Sequence, residues 1–421
     1  MKAIRNGSDW QCVECHNGMT VLFIEKPQYY SAHVRLVVKY GSLHHRFFDP
    51  ISSATVVQPE GVAHFLEHAL FPSEGNDAYV QLAEYGADLQ ASTYIDRTAF
   101  YSTTVGNVMD TVGFLLELAF RSNITEDRIQ LEKQVIQNEM LMSQADPAEV
   151  ARQNMLNALY WNHPVKKDVK GTEESLSQIT LDHVRTAHSL FYVPHNCLLL
   201  VAGNVHIHDL VERAEQMVSR KPFAATADLP EWREPPNAVQ DFSLAEMGLN
   251  QAYVHVGYKH VHAGLTATAL FQEELVIRIC AVMLEHELYN LLNEKELTGD
   301  DGSADAIRVN YCRAADAGYL EITAQTDSWE WFREAVMQAA ERVRNAPWSE
   351  SLADDWKKLW LLRCQKEAND LSVLTYYLEK WWTTLEGFDL DRTLRNISAR
   401  HLRDAIERLL VPENMAVSVV C

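Results

Sequence analysis

The chain is short of positive charge, sparing with cysteine and without a long apolar run, and each shortage closes off a class of function. Lys and Arg number 37 against 58 Asp and Glu, a formal net charge of −21. Nucleic-acid binding and adhesion to anionic membranes depend on clustered positive charge, so neither partner is expected. No stretch approaches the ~20 consecutive apolar residues of a membrane-crossing helix. The opening Met1-Lys2-Ala3-Ile4-Arg5-Asn6-Gly7-Ser8-Asp9 lacks the apolar core of a secretory signal. Seven cysteines, an odd number in a long chain, read as the reduced thiols of a cytoplasmic protein. Cys12-Val13-Glu14-Cys15-His16 matches the C-x-x-C-H pattern of c-type haem attachment, but that chemistry follows export, and nothing here directs export. The segment runs straight into Asn17-Gly18 and an apolar strand, as one arm of a hairpin.

What is present is a core-forming chain. At 421 residues and 47% apolar content it exceeds one ordinary core, and two domains of about 200 residues each are expected. Strands are expected at Met19–Ile24 and His33–Tyr40, followed by a polar loop over 42–61. A short helix over 76–85 closes on Gly86, and a strand pair follows within 90–104. Helices are expected over 108–121, 126–144 and 148–161, an N-cap at Thr180, and a buried strand over 195–203. Ala227-Asp228-Leu229-Pro230-Glu231-Trp232-Arg233-Glu234-Pro235-Pro236-Asn237 reads as a linker. Beyond it the order partly repeats: strand 252–258, long helix 266–296, strand 318–326, helices 329–344 and 352–369, and a closing strand 416–420. The expected division is therefore 1–226, a linker 227–240, and a similar domain 241–421, both of an α+β class with sheets packed against helices.

The first domain carries the most informative stretch, Gly61-Val62-Ala63-His64-Phe65-Leu66-Glu67-His68-Ala69-Leu70-Phe71. Its centre is H-x-x-E-H. On a helix, His64 and His68 project from one face, a turn apart, and two imidazoles so placed can share one Zn²⁺ at about 2.0–2.1 Å. Glu67 sits between them, where its carboxylate can serve as a general base without ligating. The surrounding residues are apolar, and three ionisable groups on so apolar a helix are costly to bury unless paired or metal-bound. Two histidines leave room for a third protein ligand and a water. In Ile129–Met140, Leu131, Val135, Ile136 and Met140 recur at helical spacing, which puts Glu132 and Glu139 on a shared face as the candidates. In the second domain His260, His262, His286 and Glu287 have no second ligand at helical spacing and read as ordinary satisfied side chains.

Taken together, G-V-A-H-F-L-E-H and E-K-Q-V-I-Q-N-E at this separation resemble the inverzincin peptidases, the family of pitrilysin, insulysin and the mitochondrial processing peptidase. The similarity continues through Gly86–Thr93, Arg97–Phe100, His163-Pro164-Val165, Gly171-Thr172, Phe191–Asn196 and Val201–Asn204. It is dense in the first half and rests on length and pattern in the second. The resemblance implies one zinc per chain held by His64, His68 and Glu139, Glu67 as base, and Glu132 as a carboxylate that supports the site. It also implies hydrolysis of short peptides or peptide precursors inside a chamber between two half-shells. Substrate would add as a strand beside Gln90, Ala91 and Ser92, although Gln90 stands where the family commonly has Asn, and Phe100 where it often has Tyr.

The family also includes metal-free subunits that act as scaffolds or partners; the intact set His64, Glu67, His68 and Glu139 argues against that alternative here. In members that work as one chain or as a homodimer, the second domain supplies an Arg and, seven residues on, a Tyr. The matching positions here are Asn293 and Asp300, with Arg308, Tyr311 and Arg313 nearby. Neither Asn293 nor Asp300 can donate to a developing oxyanion as a cation or phenol does. The resemblance therefore points to the zinc-bearing half of a heterodimer whose homologous, metal-free subunit supplies that pair, with a homodimer as the alternative.

Overall fold

A computed structural model describes residues 2–6, 10–71, 77–120, 123–216, 226–227, 232–262, 264–298, 304–314, 316–382 and 389–421. The chain forms two compact units, and each takes segments from both halves of the sequence. The first comprises Met1–Met140, Asp168–Pro230 and Glu367–Trp382, and the second Leu141–Lys167, Glu231–Lys366 and Thr383–Cys421. Two segments, 141–167 and 367–382, thus cross the contiguous division expected from sequence.

The strands of the first unit are β1 (Lys2–Asn6), β2 (Trp10–Glu14), β3 (Thr20–Glu25), β4 (Ala32–Val38), β5 (Arg46–Asp49), β6 (Ala54–Val57), β7 (Gln90–Thr93), β8 (Thr98–Thr104), β9 (Cys197–Gly203) and β10 (Thr226–Ala227). Seven of them form one sheet in the order β1-β2-β3-β9-β4-β8-β7, and β10-β5-β6 form a small second sheet. The β5–β6 hairpin replaces the polar loop expected over 42–61. Its strands are four residues long and largely exposed, so they carry no alternation strong enough to read. Gly18, at φ +86°, turns β2 into β3. Cys12 and Cys15 lie in the packed interior at 2% and 4% exposure, and burial pushes both thiols up to about 11.

Side-chain alternation gives the main sheet two faces. Val34, Leu36 and Val38 of β4 join Val21, Phe23, Leu199, Val201 and Phe100 in a core. The helices that contribute to it include α1 (Val62–Leu70), α3 (Val108–Phe120) and α4 (Glu126–Ala145), with α2 (Asp77–Glu84) between the first two. The opposite face carries His33 and Arg35, and the helix Leu371–Trp381 packs there against β4 and β9. Glu379 of that helix is fully buried, with Oε2 2.6 Å from Arg35 Nε and Oε1 2.5 Å from Arg97 Nε. The Arg35 guanidinium also lies 4.3 Å over the Tyr101 ring, and Arg97 lies 4.1 Å over Tyr94. Two arginines on a sheet face need a countercharge to be buried, and this chain brings it from 282 positions beyond Arg97.

The second unit contains α5 (Pro147–Leu159) and the strands β11 (Phe242–Ala245), β12 (Ala252–Val261), β13 (Ala304–Ala314), β14 (Ala317–Thr326) and β15 (Met415–Val420). They pair in the order β11-β15-β12-β14-β13. Numbered within each unit, β3-β9-β4-β8-β7 and β11-β15-β12-β14-β13 follow one scheme: first, last, second, fourth, third. In both, the first and last strands are parallel and the second runs antiparallel to the last. The helix Ala267–Thr298 falls between β12 and β13, where the first unit has α1 and α2. The expected linker is anchored from Trp232 onward. Glu234 accepts the backbone N–H groups of Trp161, Asn162 and His163 and pairs at 2.5 Å with Lys259, a buried lysine of β12.

Glu379→Gln is expected to lower the stability of the first unit by about 3–5 kcal/mol, since it takes the buried Arg35 guanidinium's carboxylate partner away and leaves Arg97 with Asp96 alone, 2.7 Å from its Nη1. Chemical denaturation of the purified variant measures this, and a loss below about 1 kcal/mol would contradict the assignment.

Candidate functional site

The site is built on α1. Gly61 precedes it at φ +90°, a conformation that suits glycine. A Cβ at this position would lie 2.4 Å from the Lys170 carbonyl oxygen. Val62, Ala63, Phe65, Leu66, Ala69 and Leu70 are buried and fix the rotation of the helix, leaving the two histidines on its remaining face with ring centroids 4.6 Å apart. At its C-terminal end the Phe71 N–H donates to the carbonyls of Glu67 and His68.

α4 faces this helix, with a buried stripe that differs from the expected one. Ile129, Glu132, Ile136 and Met140 are buried, whereas Leu131 and Val135 are exposed. The spacing of three, four and four residues places a carboxylate inside the packed stripe, a choice that an apolar periodicity cannot anticipate. Glu132 Oε2 lies 3.1 Å from His68 Nδ1. Glu139, two turns on and half-exposed, places Oε2 3.5 Å from His68 Nε2 and 3.7 Å from His64 Nε2.

One ligand atom from each of His64, His68 and Glu139 can be chosen so that all lie within 4.8 Å of one another, and this is the one such group found among the described residues. Donors about 2.0–2.2 Å from a tetrahedral ion sit roughly 3.3–3.5 Å apart, so two imidazole nitrogens and a carboxylate oxygen at these spacings fit a zinc ion. The charges agree with the spacing. Burial pushes His64 down to about 4, with the charge of His68 adding to the push, so it offers a neutral lone pair. His68 goes the other way, to about 9, because hydrogen bonds to Glu132 and Glu139 and the surrounding carboxylate charge outweigh its burial. Burial would raise Glu139, yet His68, His64 and Lys170 hold it below the usual carboxylate range. A divalent cation answers the charge that otherwise draws a proton to His68.

Glu67 is buried beside this group without belonging to it. Burial lifts its carboxyl above the usual range, against a hydrogen bond from Thr93 and the charge of His68. Thr93 Oγ1 donates to Glu67 Oε2 at 2.8 Å. Thr93 ends β7, the last strand of the sheet among the described residues, and β7 packs beside α1. Gln90, Ala91 and Ser92 precede it on that edge strand, with Gln90 exposed and the other two partly buried.

Two residues have roles here that the sequence does not assign to them. Thr93 is one; its position at the end of a short Thr-containing strand gave no sign of the Glu67 contact. Arg128 is the other. Its Nη2 lies 3.0 Å from Glu132 Oε1 and donates to the carbonyls of His68 and Phe71 at 2.9 and 2.7 Å. Of the rival histidines, His262 keeps a buried Nε2 with no hydrogen-bond partner among the described residues, unlike the satisfied side chain expected, and the others are engaged elsewhere. His260 sits between the Tyr311 hydroxyl at 2.9 Å and Glu273 at 3.1 Å, and His286 lies edge-on to Trp356. Tyr311 is buried, Arg313 is held by Glu274 at 3.0 Å, and Arg308 and Asn293 are exposed. Asp300 lies outside the described residues.

Comparison with known proteins bears on the family and the fold. Residues 20–173 match the family model described as Insulinase (Peptidase family M16), and residues 178–358 match that of the Peptidase M16 inactive domain. The uncharacterized zinc protease YmfH of Bacillus subtilis (strain 168) is 31% identical over 207 residues, 49% of this chain and 48% of the relative, so the match spans about half the relative's length. An uncharacterized zinc protease of Rickettsia bellii (strain RML369-C) is 25% identical over 315 residues, 74% of this chain and 72% of the other. Among solved structures, an M16-like peptidase from Alicyclobacillus acidocaldarius superposes with a TM-score of 0.85 at 24% identity over 98% of both chains. Pitrilysin superposes at 0.71 and 18% identity over all of this chain and 45% of its own. At these identities the superpositions establish the fold. No helix among the described residues is long and apolar enough to cross a membrane.

Gly61→Ala is expected to cost at least about 1–2 kcal/mol, from the left-handed backbone alone, and to weaken zinc binding by moving the start of α1 off Lys170. Denaturation of the metal-free protein and a zinc titration check both halves; an alanine variant with wild-type stability would contradict this account of the turn.

Proposed function

Because this chain belongs to the M16 peptidase family, we propose that it is a zinc-dependent endopeptidase that hydrolyses short peptides or peptide precursors, with Glu67 as general base. The observation that carries the reading is the convergence of His64, His68 and Glu139 on one point, with a buried fourth group, Glu67, beside it and bonded to Thr93 instead. A zinc ion held by those three residues would supply Lewis acidity, acidifying a water and polarising the scissile carbonyl. Glu67 takes the proton of the attacking water and returns it to the leaving amine. Its raised carboxyl suits that exchange, since the ideal catalytic pKa lies nearer the working pH than an exposed glutamate's does. Thr93 holds one carboxylate oxygen, which turns the other toward the proton. Glu132 holds His68 by Nδ1 and so presents Nε2. The open edge of β7 at Gln90, Ala91 and Ser92 receives the peptide as an added strand.

We place the enzyme in the cytoplasm, in keeping with its seven free thiols, and read it as the zinc-bearing partner of a homologous metal-free subunit. Asn293 cannot act as the cationic donor. Of the three residues that could have replaced the missing pair, Tyr311 and Arg313 are engaged within their own unit, and Arg308 is exposed.

Glu67→Gln is expected to reduce turnover at least ~10²-fold with zinc retained; wild-type rates, or loss of zinc on dialysis, would refute the role. Thr93→Val, which keeps the shape and removes the hydroxyl, is expected to lower kcat roughly 10–100-fold with KM little changed, the worth of a hydrogen bond to a charged group, and Thr93→Ser to restore most of it. An equal loss in the serine variant would assign Thr93 to packing. Peptide cleavage by the isolated chain is expected to rise about 10²–10³-fold when a co-encoded homologue lacking the zinc motif is added. Full activity from the chain alone, unchanged by the homologue, would contradict the two-subunit reading.

A further inference from the structure

We propose that Arg128 is a positioning residue for the second histidine of the metal site, acting through Glu132; the inference rests on the zinc reading above. Arg128 lies in the first turn of α4, with its side chain largely buried. One terminal nitrogen, Nη2, reaches three acceptors: the His68 and Phe71 carbonyls at 2.9 and 2.7 Å, and Glu132 Oε1 at 3.0 Å. The two carbonyls belong to the C-terminal end of α1, where helix carbonyls lack internal partners and a cation is favoured. Glu132 stands one turn further along α4, so a single guanidinium ties the end of the motif helix to the carboxylate that faces its histidine.

Glu132 then has both oxygens engaged, Oε1 by Arg128 and Oε2 by His68 Nδ1 at 3.1 Å. A carboxylate held at both ends cannot turn about its terminal bond, so the acceptor for Nδ1–H is fixed in place. The imidazole plane is fixed with it, and Nε2 is delivered to 3.5 Å from Glu139 Oε2. His64 has no equivalent brace: its Nδ1 is buried with no hydrogen-bond partner among the described residues. His68 is therefore the braced ligand of the pair, and the brace ends at Arg128. Without it, Glu132 keeps one oxygen buried and unsatisfied, and the cheapest relief is to rotate away from His68.

The test uses the full chain, zinc alone as probe, and competition with a chromophoric chelator. Arg128→Met is expected to raise the zinc Kd about 10–100-fold, the usual effect of losing support behind a ligand. In a Glu132→Gln background the same substitution is expected to add less than about twofold, because the route is already cut. Circular dichroism and the unfolding midpoint of the metal-free proteins verify folding, and if Arg128→Met does not fold, Arg128→Gln takes its place in the cycle. An Arg128 effect that persists in full beside Glu132→Gln would assign the residue to helix capping and overturn the proposal, as would an unmoved Kd in the single variant. A wild-type chain that takes up no zinc would overturn the zinc reading itself. Zinc uptake by the wild type with Arg128→Met unmoved would overturn this inference alone.

Discussion

The site turns on one imidazole held between two carboxylates. His68 meets Glu132 through Nδ1 and Glu139 through Nε2, and those glutamates are two turns apart on one helix, so a single face of α4 reads both sides of one ring. That contact sets how α1 lies against α4. Once it is set, His64, a turn before His68, meets the same Glu139 oxygen, and Glu67 is left to face Thr93. Moving α4 by one residue along its axis, about 1.5 Å, would break every one of these distances.

The rest of the first unit keeps that face in place. A hydrophobic core lies behind α1, while the far side of the same sheet is closed by a helix whose Glu379 pairs with both Arg35 and Arg97, with Asp96 as a second carboxylate on Arg97. Arg97 is one residue from Thr98, whose hydroxyl donates to the Tyr40 carbonyl and lies 3.4 Å from Thr93 Oγ1. The ion cluster and the proposed base thus meet at the same end of the β7–β8 pair, where Thr93 stands opposite Thr98. The second unit repeats the strand order, and among its described residues no group that could hold a metal ion comes together.

Much of this was legible in the sequence because it is local. H-x-x-E-H on an apolar helix reports its own geometry, Glu132 and Glu139 report a shared face, and Thr180 reports a cap that the structure shows as a capping box. The strand pair at 90–104 and the helix 329–344 follow from alternation and period. What escaped is non-local. The helix Leu371–Trp381 belongs with a sheet whose strands lie hundreds of residues earlier. The prolines of the linker are visible in the sequence, whereas its anchor, Glu234 on Lys259 and three backbone N–H groups, is visible only once folded. β13 is an exception, since its alternation of buried Ile307, Val309 and Tyr311 with exposed Arg308 and Asn310 is a local strand signal. Thr93 and Arg128 escaped because neither residue type implies a partner until the fold supplies one.

The central claim is that two histidines and Glu139 hold one zinc. The most direct test is metal content after chelation, reloading with zinc and gel filtration, on the wild-type chain and on Glu139→Ala. The account predicts one zinc per wild-type chain and none retained by the variant, because two histidines alone bind weakly. Zinc retained by Glu139→Ala at wild-type stoichiometry, or none on the wild type, would contradict it.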